Sequence, residues 1–207
     1  GRLFKTTNGL VELTGASTYL GGSEIQAGTL RLVGNDRLPV AGEVLVQGGL
    51  FDLGGFSQKT GVLTLVTGEI ANGTLNSTEY RLQSGTVGAL LAGGRNLTKT
   101  ASGVALLTGA NTYTGSTTIG VAGGVEAGVL RLSGAGLLSN AAVQLYAGTL
   151  DLNGTSQTIT TLRMGGGAAA SVATVSLGGG TLALGGTVTF DAVSGAGAAT
   201  VGNGVLD

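Results

Sequence analysis

The chain has 207 residues, a formal net charge of −1, 42% hydrophobic residues and only 10% charged ones, with 42 glycines, one proline, no histidine and no cysteine. Glycine without proline excludes collagen, and a Val/Leu-rich chain is not a disordered one. The absence of a basic run, with 4% aromatics, leaves no electrostatic footprint or stacking platform for nucleic acid.

Taken in order, residues 5–15 (KTTNGLVELTG) read as a strand pair around a turn, followed by a small loop carrying Tyr19. Next come a short alternating strand at 28–32 (GTLRL) and a strand–glycine–strand run at 44–58 (VLVQGGLFDLGGFSQ). Residues 61–96 are less regular but keep strands at 62–66 and a glycine-bounded piece at 68–73. Then the pattern restarts. Residues 99–109 (KTASGVALLTG) parallel 5–15, and the loop with Asn111 and Tyr113 parallels 16–19. After Gly115 the chain alternates at Thr117, Ile119 and Val121; 128–132 (GVLRL) parallels 28–32, and 143–157 parallels 44–58. Residues 158–186 answer 61–96, with an alternating strand at 181–184. Glycines at 166–167 argue for a loop over a helical turn at 166–171, and the tail at 195–204 is too rich in Gly and Ala to place.

No segment carries a sustained 3.6-residue apolar period, a linker or a charge block. The chain therefore reads as one domain, 1–207, built of two long copies at about 5–98 and 99–190. They lie about 94 to 100 residues apart, the extra 120–124 segment absorbing the difference. Because the chain starts and stops in mid-pattern, it is expected to be excised from a longer protein. No apolar run approaches the roughly 20 residues of a membrane-spanning helix, and no amino-terminal charged-then-apolar signal is seen.

Sandwich strands are not expected to repeat in sequence, whereas Gly-Thr-Leu-x-Leu recurs at 28–32, 148–152 and 180–184. Such repetition fits an all-β solenoid of about ten coils, each roughly 20 residues long and about 4.8 Å above the last. Inward Leu, Val and Ile then stack in ladders, outward positions take Thr, Arg, Glu and Gln, and glycine serves the corners.

The run LTGANTYTGSTTI at 107–119, followed by AGVLRL at 127–132, resembles the autotransporter-associated β-strand repeat of passenger domains. Gly109, Asn111, Tyr113, Gly115, Gly128 and Leu130 carry the resemblance, with Tyr19, Gly28 and Leu30 in the first copy. The segment from Asp151 through Asn153 and Gly154 resembles the stretch that often follows the repeat. The first copy departs, with Ser17 in place of the Asn and 20–24 (LGGSE) in place of the Thr-rich strand start. The resemblance implies a right-handed parallel β-helix, exported by type V secretion to the surface of a Gram-negative bacterium. Its partner would be the rest of the parent protein, including an outer-membrane barrel. On this reading the segment is a monomeric stalk that displays functional regions and assists export by folding coil after coil, with no membrane insertion of its own. An adhesin face for host cells, matrix, glycans or another copy is the alternative, and a trimeric phage tail spike is another.

Without cysteine there are no disulfides, iron–sulfur clusters or thiolate zinc sites, and without histidine no Ser-His-Asp triad and no histidine metal site. The eleven carboxylates are scattered. Asp52 and Asp151 hold equivalent places and suggest an acid–base pair, but several coils separate them. The competing reading has each bonding the amides of its own turn. Tyr19 and Tyr113 are expected to pack on the coil beneath with wet hydroxyls, and Asn111 to bond backbone at a corner. The Asn-x-Thr/Ser triplets at 72, 76, 96 and 153 are products of composition. No phosphate loop or nonapeptide calcium repeat is present. Neither an enzyme, a cofactor nor a metal is expected.

Overall fold

A computed structural model of the chain describes residues 1–125, 127–169, 171–191, 198–202 and 205–207. Its strand pairings are parallel. One 11-stranded sheet runs from Leu3–Lys5 to Val188–Phe190, and one 10-stranded sheet from Leu10–Leu13 to Ala198–Gly202. The chain visits the two sheets alternately, so each strand lies on its equivalent from the previous coil. A third face is paired in two patches: the front halves of Ser57–Leu65 and Thr74–Leu82 with Leu90–Leu91, and the strands Gln157–Ile159, Thr181–Leu184 and Val205–Leu206. This is a β-solenoid, with no helix among the described residues. Residues 166–169 are loop, Ala170 lies outside the described residues, and of the tail 195–204 only 198–202 falls within them, as a strand.

The alternation is sharp because each strand has one face in the rod and one in water. In Thr29–Leu32, Leu30 and Leu32 are fully buried while Arg31 points out. Along the first sheet the register stacks Lys5, Ile25, Val46, Leu65, Leu82, Lys99, Ile119, Leu145, Met164 and Phe190 in one line. The line holds eight apolar rungs and two lysines, and the lysines open the two long copies. Burial of each aliphatic side chain contributes roughly 1.5–3 kcal/mol. Such ladders, rather than any single contact, hold the coils together.

Coil length is less uniform than the repeat suggests. Equivalent positions are 17 residues apart from Leu63 to Tyr80 and from Tyr80 to Leu97, and 26 apart from Thr117 to Val143. The longest steps pass through loops, which leave the ladders undisturbed. Gly28 and Gly128 mark the equivalent corner in each copy, at φ +69° and +59°. A Cβ there would run into the backbone of the preceding coil, at Gly9 and Gly103, so the corner needs both the left-handed backbone and the missing side chain.

Candidate functional site

Four kinds of polar side chain recur at equivalent places of the two copies, and they join one coil to the next or fix a turn or loop of their own coil. The first is an Arg–Asp pair on the outer face of the second sheet. Arg31 and Asp52 are register neighbours, as are Arg131 and Asp151, and each Arg Nε donates to its Asp Oδ2, at 2.7 and 2.8 Å. The other carboxylate oxygen accepts a turn amide, Gly54 N at 2.9 Å for Asp52 and Asn153 N at 3.0 Å for Asp151. Asn153, at φ +49°, and Gly154, at φ +80°, form the second of these turns. Asp52 also accepts from Asn72 Nδ2 at 3.1 Å and is 1% exposed. Burial pushes its carboxyl up, but the bonds from Gly54, Arg31 and Asn72 and the Arg31 charge outweigh this and hold it below its ordinary 3.8. With Glu12 beside Arg31 at 3.7 Å, these groups floor a shallow depression edged by Val33 and Phe56. Asp52 and Asp151 lie five rungs apart, about 24 Å at 4.8 Å per rung. A glycosidase carboxyl pair spans at most about 9.5 Å, so these two do not act on one bond.

The second is a buried lysine at the corner between the sheets. Lys99 is fully buried, and its Nζ donates to three carbonyls: Thr100 O at 2.7 Å, Ala101 O at 2.7 Å and Ala127 O of the next coil at 2.6 Å. An ammonium has three donors, and all three are used. Burial draws its pKa down to about 8. Lys5 does the same in the first copy, donating to Thr7 O and, at 2.9 Å, to Ala27 O.

The third is a set of buried amides on the third face, where loops replace strands. Gln58 Oε1 accepts Leu38 N at 2.9 Å, and its Nε2 donates to Leu38 O at 3.1 Å. Gln157 holds Leu138 N at 3.0 Å in the same way. Asn111 Oδ1 accepts Leu91 N at 2.9 Å, and its Nδ2 donates to Leu137 O at 2.9 Å. Each amide stands in for a peptide group of a missing strand.

The fourth is the tyrosine of each motif. Tyr113 Oη pairs with Thr117 Oγ1, and Tyr19 Oη with Ser23 Oγ, both at 2.7 Å. Tyr113 is 1% exposed and its ring meets that of Tyr80, centroids 6.2 Å apart. Its hydroxyl is therefore not wet, as the sequence had suggested; a Thr four residues on takes the place of water. Gly109 and Gly115 flank this loop, and a Cβ on either would strike the backbone of the coil before, at Ala89 and Arg95. Leu30 and Leu130 are core.

The buried Gln and Lys residues escape a reading by composition, which places Gln outward and Lys in water. The signal that finds them is their recurrence: Lys5 with Lys99, Gln58 with Gln157, Arg31 with Arg131. Among the described residues no group of three or more His, Cys, Asp and Glu side chains could hold a metal ion. Compared with known proteins, the chain matches no family model, no curated protein and no solved structure.

Proposed function

We propose that the chain is a structural spacer, a β-solenoid stalk segment of a bacterial surface-exposed passenger protein that displays other regions and aids export by folding coil after coil. The observation that carries this reading is the use of the repeated polar groups. The motif's Asp, Asn, Lys, Gln and Tyr side chains bond across coils or close their own turns, so the repeat preserves stacking chemistry. A fold whose coils each contact mainly their neighbours can extend one coil at a time without disulfides, and each finished coil templates the next. The resemblance of the 107–119 run to the autotransporter repeat supplies the setting.

The test places the chain between an outer-membrane barrel and an epitope on a Gram-negative cell. The expected result is full labelling of the epitope by an impermeant antibody, with the purified chain itself showing no saturable binding to cultured host cells or a glycan array. Saturable binding that survives moderate salt would overturn the spacer reading in favour of an adhesin face.

A further inference from the structure

The chain has ten Lys and Arg residues, and most are committed to the fold. Arg2, Arg31, Arg81, Arg131 and Arg163 each pair with a carboxylate. Lys5 and Lys99 bond main-chain carbonyls. Arg37, Lys59 and Arg95 remain, and their side chains form no ion pair or hydrogen bond among the described residues. The Arg37 guanidinium lies against Gly34. Lys59 and Arg95 are exposed and line one depression of about 190 Å³ on the third face, together with Val40, Asn76 and Thr78. The depression sits in the middle of the first copy, and the coils on both sides of it belong to the described residues.

The register places the two cations. Lys59 lies beside Asn76 of the next coil. Arg95 precedes Leu97, the neighbour of Tyr80, and so lies one coil further on. Two rungs separate the cations, about 10 Å, and long side chains at that spacing converge on one group between them. The donors around them are unspent. The Asn76 amide rests on Gly93, where a Cβ would come within 2.6 Å of its Oδ1, and neither it nor the Thr78 hydroxyl has a hydrogen-bond partner among the described residues. The buried hydroxyls of Thr60 and Ser77 bond each other at 2.7 Å and close the floor. The nearby carboxylates are engaged elsewhere: Asp36 Oδ1 accepts the Lys59 amide at 2.7 Å, and Glu79 pairs with Arg81 at 2.8 Å.

The repeat separates what stacking needs from what it does not. Gln58 recurs as Gln157, but its neighbour Lys59 stands where the second copy has Thr158. A buried amide is kept and a lysine is not, so the coil stacks without the cation. Two like charges brought together without a counter-charge repel, and an anion between them removes that cost.

We infer that the depression between Lys59 and Arg95 is a binding site for a tetrahedral oxyanion, a phosphate or sulfate group. The two cations carry its charge, and Asn76 Nδ2 and the Thr78 hydroxyl donate to its remaining oxygens. This goes beyond the stalk reading and does not depend on it, because no step of stacking or export uses the site. Exposed cations bind an anion in water weakly, so the affinity is about 1 mM and falls with salt.

The test is a titration of the intact chain with inorganic phosphate at pH 7, followed by nuclear magnetic resonance, with sodium chloride at equal ionic strength as the control. The expected result is a saturable shift of the amides at 76–78 and 94–96 that chloride does not reproduce. Lys59→Gln and Arg95→Gln are each expected to weaken it about tenfold. Both side chains are exposed and unbonded, so both variants keep the parent melting curve. A second arm sediments the chain with phosphatidylglycerol vesicles. Co-sedimentation that either variant abolishes makes a lipid headgroup the source of the phosphate, whereas a response to the free ion alone makes it a soluble one. Chloride that moves the same amides equally, or a phosphate response unchanged in both variants, would overturn the proposal.

Discussion

Asn111 joins the Leu91 amide to the Leu137 carbonyl, two backbone groups from different coils that no strand pairs. Replacing it with Ala leaves both unmet in a dry setting. Asn111→Ala is therefore expected to cost about 2–4 kcal/mol, read as a lower denaturant midpoint at unchanged m-value. The two aspartates separate by burial. Asp52 bonds Gly54, Arg31 and Asn72 and is almost fully covered, whereas Asp151 bonds Arg131 and Asn153 N nearer to water. Asp52→Ala should cost about 1–3 kcal/mol and Asp151→Ala under about 1 kcal/mol. The pH dependence has a definite sign at both ends. Asp52 titrates below 3.8 in the fold, so its contribution is complete above 3.8 and is lost as pH falls below it. Lys99 loses its proton near pH 8 in the fold but near 10.5 when unfolded. Between those values the unfolded chain binds more protons, so stability rises with pH. From pH 10 the phenols of Tyr80 and Tyr113, kept protonated by burial, act with the opposite sign. Melts taken from pH 8 to 10 should rise for the parent chain and stay flatter for Lys99→Met; equal slopes would remove Lys99 from the account.

At the level of the element, short strands and glycine corners are local properties, and the sequence shows them openly. Thr29–Leu32 and Val129–Leu132 can be read from GTLRL and GVLRL because alternation and the glycine before it are adjacent in the chain. Gly128→Ala tests the corner: strain at positive φ combines with a clash against the backbone of 102–103, and the cost is expected to exceed about 2 kcal/mol in an unfolding titration. The amide and lysine roles were hidden for the converse reason. Gln58 is buried by the loop that holds Leu38, and Lys99 by Ala127, partners about 20 and 28 residues away. Nothing in the local pattern around a Gln after a turn, or a Lys at a strand end, announces such a partner. The tyrosine was half legible. Its packing follows from size and position, but its dry hydroxyl depends on Thr117 and on Tyr80 of the coil before.

The whole rod is a column of interchangeable layers. Its ladders continue through strands of different sequence, and loops of differing length leave the register intact. Stability is then a sum over coils and the contacts between neighbours, and loss of one layer costs one layer. The measurement that tests this most directly is deletion of residues 63–79, which places Tyr80 where its register partner Leu63 stood. It is compared with deletion of residues 71–79, which brings the wrong side chains inward. The account predicts that the first variant keeps its β-sheet circular dichroism and a cooperative melt, while the second loses both. Unfolding of the chain by both deletions alike would contradict the view that its coils are modular and that their repeated polar groups serve the stacking of one layer on the next.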